Sequence, residues 1–519
     1  MSPLILIIAA VILPFAIVYS LITRRLEWRS RLKESGFPVV ETGSLLFGNL
    51  DVIKSENAPW LLTKLANIYG HTYGIMLGAY PAVVTSDPDV IQDICLKKFQ
   101  YFHSRFDDPT VPDVDSTRAI HVFAARGERW KRIRTLASPA LSTQNLKKLY
   151  PIALDSVLKF IERLEQDATS RNPVDLHSRF QILAYDVISR CCIGRKQSMQ
   201  ENDPNLALIL EKFTPTLKFQ KSSTETLSWC LPEFKGLFAW YQSVVDRINS
   251  ALGKPTDPFA AYAINIRKIV DERDKTENRY DMMQFLKNAE ENDWNDWIKE
   301  NDRPVNFGKV KIDKKMLSEE ITLTIRFMST AGFDTTANTL AYLMHLLAKK
   351  PEEQEKLRAE INSYDEVNHE TIQKMEYLQW SIYEILRLYP HSSFLQSRRC
   401  VEDCQVQEFI FPRGANIVFD TWTLHHDPEI WGDDVEEYRP SRFGAERTAK
   451  QMQSWTPFGV GPRQCIGMRF ALMELKTVIS LILKKFRIKP ISEESNLRMR
   501  LREMGTVWPD SSKVIFELL

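Results

Sequence analysis

The stretch from Pro457 to Gly467, "PFGVGPRQCIG", followed at once by the apolar run "MRFALMELKTVISLIL", constrains this chain more than any other feature. Gly459 and Gly461 allow a tight turn and a close approach to a flat ligand, and Gly467 leaves room where a helix begins. Cys465 therefore sits at a helix start, where amide N–H groups and the helix dipole favour the thiolate, the better nucleophile and the better metal ligand. A dinucleotide loop is excluded, because G-x-G-x-x-G needs glycine at the position of Gln464. A catalytic nucleophile wants a histidine base close by, and this segment contains none. A single iron-thiolate ligand suits a glycine-rich turn whose N–H groups tune the metal–sulfur bond, and a buried structural cysteine stays open beside it.

The rest of the chain narrows the setting. A chain of 519 residues can build a large core, and a net charge of +1 gives no pull toward nucleic acid, so no nucleic-acid partner is expected. Seven scattered cysteines do not form a secreted disulfide framework and suit a reducing compartment. From Met1 to Thr23 no side chain is charged. The run Leu4 to Ile22 would span roughly 28 Å as a helix, enough for a hydrocarbon core, and Pro14 is tolerated in such helices. No small-residue cleavage site follows. Arg24, Arg25, Arg29, Arg31 and Lys33 outnumber Glu27 on the next segment, which places that side in the cytosol.

The expected layout is an N-terminal transmembrane anchor over residues 1–23, a basic flank and hinge over 24–50 with Pro38 its one proline, and a single domain over 51–519. That domain reads as mainly helical with small β-sheets. Strands are expected in "YGIMLGAYPAVVTS", in a pair within "CQVQEFIFPRGANIVFD" turning at Arg413-Gly414, and in "TVWPDSSKVIFEL". The charged, aperiodic stretch Asn288 to Lys315 reads as a connection between long helices.

"FGVGPRQCIG" resembles the haem-binding loop of the cytochrome P450 superfamily, Phe-x-x-Gly-x-Arg-x-Cys-x-Gly, at every fixed position. The resemblance implies haem b with Cys465 as its proximal thiolate and iron ligand, Phe458 packed on the loop, and Arg463 paired with a propionate. Glu384 and Arg387 in "EILR" would by themselves be an ordinary surface pair. The resemblance makes them a buried triad with Arg442 of "YRPSRF", where Ser441 replaces the commoner glutamate. In "GERWKRIRTLASPAL", Trp130 and Arg134 share one helical face and are implied to contact propionates. The nearby Arg126, Arg129, Lys131 and Arg132 would face outward as a positive patch for an acidic redox partner. Arg398 in "SRRC" takes the place of a further propionate arginine, with Arg399 as the competing choice.

The segment "AGFDTTANTL" sets poor helix formers inside an apolar run. A helix break with Asp334 as a cap stays open. The resemblance implies instead a helix locally distorted above the iron, in which Asp334 and Thr335 manage proton delivery to dioxygen. A carboxylate buried there needs hydrogen-bonded water or a basic partner.

The motifs are most similar to the animal microsomal group, and imply a cytochrome P450 fold and a monooxygenase inserting one atom of dioxygen into a lipophilic steroid, fatty acid or xenobiotic. No flavin or nicotinamide fingerprint occurs, so electrons are expected from an NADPH-dependent flavoprotein reductase at the endoplasmic reticulum membrane, with cytochrome b5 as an additional donor. A haem-thiolate isomerase or dehydratase, and a non-catalytic haem protein, remain as alternatives. The pocket is expected between the loop Phe106 to Phe123, the region Phe213 to Trp240, the long helix and the segment after Pro390. "CLPEFKGLFAWYQSVV" and "DPFAAYAINI" read equally as membrane-dipping segments and as ordinary helices.

Overall fold

The computed structural model describes residues 3–54, 58–106, 114–115, 117–200, 203–213, 223–252, 258–274, 279–291, 302–391, 396–492, 498–501 and 506–519. Helices dominate. Those that position the site are α1 (Pro3–Glu34), α2 (Gly127–Ala137), α3 (Thr143–Thr169), α4 (Leu176–Ile188), α5 (Lys235–Ala251), α6 (Ser318–Lys349), α7 (Glu376–Leu388) and α8 (Met468–Lys485). In α3 the buried residues Leu146, Leu149, Tyr150, Ala153, Val157, Phe160, Ile161 and Leu164 recur at helical spacing and form one apolar face. Helix α6 is buried nearly all round and forms the axis of the domain.

Helix α6 is unbroken from Ser318 to Lys349, so Asp334 caps nothing and the helix-break reading is overturned. Its threonines are accommodated by bonding back to the preceding turn: Thr330, Thr335 and Thr339 each donate to the carbonyl four residues earlier at 2.8 Å. Gly332 serves packing here. A Cβ at this position would lie 3.1 Å from Ile188 Cδ1, so the glycine lets α4 and α6 approach closely.

The main sheet has the order β1 (Thr72–Leu77), β2 (Tyr80–Thr85), β7 (Asn416–Phe419), β4 (Ser397–Arg399), with β7 parallel to β2 and the other pairs antiparallel. The hairpin of β5 (Cys404–Val406) and β6 (Phe409–Phe411) does not turn at Arg413-Gly414 as expected. It turns at Gln407, with φ 51°, while Gly414, at φ 89°, redirects the chain from β6 toward β7. Near the C-terminus, β8 (Phe486–Pro490) and β11 (Lys513–Leu518) join β3 (Val174–Asp175), and β9 (Arg498–Leu501) pairs with β10 (Val507–Ser511).

The expected boundary after residue 23 falls inside the continuous helix α1. Residues 24–50 are also no loose hinge. Leu32, Phe37, Val39 and Val40 are buried, and the Val40 and Asn49 amides donate to the carbonyls of Gly74 (2.9 Å) and Met76 (2.7 Å) on β1. Among the described residues no helix is long and apolar enough to cross a membrane. The side chains of residues 1–17, on which the membrane-anchor expectation rests, lie outside the described residues.

Candidate functional site

The cysteine loop is closed by its own backbone. The Cys465 amide donates to the Phe458 carbonyl at 2.8 Å, and Gly459 and Gly461 take φ values of 74° and 73°. A Cβ at Gly461 would overlap the Cys95 carbonyl, so only glycine fits there. Phe458 is half-buried, its ring edge-on to Trp455 at 6.1 Å. Cys465 is the one exposed cysteine of the seven, although its sulfur is set deep enough for burial to raise the thiol. Both hold when a sulfur faces an interior cavity. The Gly467 and Met468 amides at the start of α8 and the Arg134 and Arg105 guanidiniums act in the opposite direction, favouring the thiolate.

Around this loop stand arginines that act on one another. Arg134 Nη2 donates to the Gln464 carbonyl at 2.8 Å. Arg398, 2 % exposed, donates to the carbonyls of Ser397 (2.8 Å) and Val460 (3.4 Å), while Arg399 turns to Asp302 at 3.3 Å. Arg105 reaches the carbonyls of Ser397 and Arg463, both at 3.4 Å. Burial first, and then mutual repulsion, holds the Arg105 and Arg463 guanidiniums well below the usual arginine range.

Among the described residues, no carboxylate lies within ion-pair distance of Arg134, Arg398 or Arg463, and Arg398 Nε is buried without a hydrogen-bond partner. Unpaired buried cations are costly, so this cluster fits an anionic group. The two carboxylates of a haem would supply that charge, and a thiolate such as that of Cys465 is a donor suited to its iron.

Arg463 meets its expected surroundings differently. Its Nε donates to the His103 carbonyl (2.8 Å), Nη1 to that of Phe123 (2.9 Å) and Nη2 to that of Ala125. Trp130, 2 % exposed, lies under the same guanidinium at 4.6 Å. Arg463 thus clamps the cysteine loop to the segment before α2, and one N–H on each terminal nitrogen remains for an anion.

The outward basic patch expected on α2 is not there. Arg126 is bound to Asp115, and Arg129 and Arg132 are buried against Glu320, itself 0 % exposed, at 2.9 and 2.7 Å. A buried carboxylate at the start of α6 draws both side chains inward, leaving Lys131 as the half-exposed base of the group.

Glu384 and Arg387 are both 0 % exposed, so the surface-pair reading fails. Arg387 holds Glu384 through Nε (2.8 Å) and Nη2 (2.9 Å), and Arg442 Nε reaches the same carboxylate at 3.3 Å. Arg442 also binds Asp434 at 3.1 Å, and nothing in this arrangement asks for a glutamate at Ser441.

Along α6, Leu323, Phe327, Ala331 and Thr335 recur every four residues and are exposed or half-buried, as are Arg326, Thr330 and Gly332 beside them, so one face of this largely buried helix is left open. Phe327 stacks on His121 (4.7 Å) and Phe123 (5.1 Å), and Arg105 sits over Phe123 at 4.3 Å, tying the face to the arginine cluster. Asp334 points elsewhere. It is 4 % exposed and accepts from Gln181 (3.1 Å) on α4, Asn338 (3.1 Å) and Thr506, with His177 Nε2 at 3.7 Å. The carboxylate therefore has amides, a hydroxyl and a histidine around it, and does not share Thr335's face.

Arg105, His425 and Gln396 belong to the site and were not singled out from sequence. Each stands alone in a loop or short helix, without a spacing pattern to mark it. The expected pocket segments lie partly outside the described residues, at 107–113, 214–222 and 392–395.

His103 shows how the site depends on pH. The Gly127 amide donates to its Nδ1 at 3.1 Å, so Nε2 carries the proton and donates to the Arg303 carbonyl at 2.9 Å. Burial pushes its pKa from the ordinary 6.5 down to about 4, and His121, His391 and His426 are lowered likewise. Between those values the unfolded chain binds protons that the folded one does not, so their contribution is full above 6.5 and lost as pH falls toward 4. Thermal unfolding midpoints should fall through this window, and His103→Gln should flatten part of the slope.

A flat, dianionic, iron-bearing macrocycle asks for both a deep-set thiolate and buried unpaired cations, which makes the class a haem-thiolate protein. The sequence model of the Cytochrome P450 family matches residues 38–515, and the chain belongs to that family. It is 31% identical to the cytochrome P450 CYP13A8 of Caenorhabditis elegans over 90% of this chain and 92% of the relative, and 32% identical to cyp-13B1 of the same organism over 86% and 87%. It is accordingly a monooxygenase whose haem b is bound through a cysteine thiolate and whose co-substrate is dioxygen.

Proposed function

We propose that Cys465 is the iron ligand and that Arg134, Arg398 and Arg105, with the remaining N–H groups of Arg463, hold the propionates. The observation carrying this is the coincidence of the exposed, deep-set sulfur with the buried Arg398 and Arg463 and the half-buried Arg134, none of which has a carboxylate within ion-pair distance among the described residues. Haem, when bound, supplies oxygen activation, with the thiolate favouring O–O cleavage. The protein supplies position and protons. Thr335 rests with its hydroxyl proton on the Ala331 carbonyl (2.8 Å), and a side-chain rotation presents it on the open face of α6. Asp334 acts at one remove, by holding the turn that carries Thr335 against α4 and Thr506. Thr335→Ala should leave haem content and the thiolate spectrum intact while product formed per NADPH consumed falls about tenfold or more and peroxide rises. Unchanged coupling would remove Thr335 from proton delivery. Asp334→Asn should instead lower stability, because it turns donors toward Gln181, Asn338 and Thr506.

The substrate is lipophilic and enters from a bilayer, and the chain is tethered to the endoplasmic reticulum membrane with its domain in the cytosol, reduced by an NADPH-dependent flavoprotein. Supporting this, Leu237, Trp240, Tyr241, Ile248 and Leu252 form an exposed apolar stripe at helical spacing along α5 and just past its end. Arg24, on the segment of α1 that follows the uncharged run, binds Glu233 beside the start of α5 at 2.6 Å, which is in keeping with that reading. A polarity-sensitive probe at position 240, introduced as Trp240→Cys in the vesicle-bound full chain, should report hydrocarbon and be quenched by lipid-borne quenchers. An aqueous signal would separate the stripe from the membrane.

A further inference from the structure

We infer that His425 is a positioning residue that transmits the buried Glu384–Arg387–Arg442 cluster to the cysteine loop. His425 is 0 % exposed and ends the short helix Thr421–His425. Its main-chain carbonyl accepts from Arg387 Nη1 at 2.8 Å, and its Nδ1 lies 3.2 Å from the Arg387 carbonyl. Its Nε2 lies 3.0 Å from the Thr456 amide. The Ser454 carbonyl also lies near the ring, but the two ring hydrogen bonds are to main-chain groups of fixed polarity: the Arg387 carbonyl only accepts and the Thr456 amide only donates. The proton is therefore on Nδ1, Nε2 is a bare acceptor, and the ring is neutral. Burial, with His426 and Arg387 beside it, holds the imidazole well below the usual histidine range, in keeping with that assignment.

Thr456 is held from both sides. Its carbonyl accepts from Gln396 Nε2 at 2.7 Å, and the neighbouring Trp455 indole donates to the Tyr383 carbonyl of α7 at 3.0 Å. The next link is short. Phe458, two residues on, presents the carbonyl that takes the Cys465 amide at 2.8 Å. Arg387 itself sends its donors to Glu384, His425 and the Glu437 carbonyl, so His425 carries its influence to the loop. Losing the Nε2 acceptor releases the Thr456 amide, and with it the anchor of the peptide that closes on Cys465.

Two isopolar variants separate this role from simple packing, given that the inference rests on Cys465 as ligand. His425→Gln keeps an acceptor near Nε2, and His425→Asn keeps a group near Nδ1 and leaves Thr456 unpartnered. In the holoprotein, hydrogen exchange at the Thr456 amide should accelerate about tenfold in the asparagine variant and remain near the parent rate in the glutamine variant. The reduced carbonyl complex should lose its thiolate band with the same ranking. Parent-like exchange in His425→Asn, or equal loss of haem and stability in both variants, would overturn the inference. Exchange at Thr456 is read without reference to the iron, so a wrong ligand assignment would show in the spectrum alone.

Discussion

Arg387→Ala is expected to yield a chain that fails to incorporate haem. The substitution strips Glu384 of its two-pronged partner inside the protein and removes the donor to the His425 carbonyl. Arg442 Nε at 3.3 Å and the Arg439 amide at 3.1 Å remain on the carboxylate, too few for a charge with no access to water. Breaking a buried pair by removing one partner typically costs about 3–5 kcal/mol, a large share of a domain's net stability. The loss also lies next to the segment Trp455–Phe458, so it should fall on the cysteine loop before it reaches distant helices. Haem content per chain and the unfolding midpoint are the measurements. A normal yield of holoprotein with an unchanged midpoint would show the pair to be structurally idle. Arg387→Lys should rescue little, because one ammonium cannot reproduce the fork that holds Glu384 and His425 together.

What sequence made legible were the features written in local chemistry. Gly459, Gly461 and Cys465 announce a tight loop presenting a sulfur, and the structure builds that loop with positive φ at both glycines. Strand structure in "YGIMLGAYPAVVTS" is legible as well, since the signal is contained in one short segment, which the structure pairs as the hairpin β1–β2. Features set by distant partners were not. The fate of Arg129 and Arg132 is decided by Glu320, roughly two hundred residues later, and a helical wheel of α2 cannot reveal it. Asp334 and Thr335 are neighbours in sequence, yet about 100° apart around a helix, so one is drawn to α4 and the other lies on the helix's open face. Arg105 and His425 gain their meaning from what folds against them: a set of buried cations in one case, two main-chain groups in the other. The docking of residues 24–50 against β1 is not legible in sequence, because pairing with a sheet edge leaves little trace in composition. Val39 and Val40 reveal their strand-like role only once Gly74 is beside them.

Cys465→Ser carries the other large effect. The loop should still form, because Cys465 contributes to it through its amide and Gly459 and Gly461 through their backbone angles. A serine hydroxyl is a poor substitute for a thiolate as an iron donor, so the arginine cluster would still attract haem while the iron–sulfur bond is lost. Haem retention should drop and monooxygenase turnover should cease. The most direct test is the absorption spectrum of the reduced carbonyl complex of the full-length Cys465→Ser protein beside its parent. The parent should show the red-shifted Soret band of a thiolate-ligated haem, and the variant should lack it even where haem remains bound. Persistence of that band in the variant would mean that another residue ligates the iron, contradicting the assignment of Cys465.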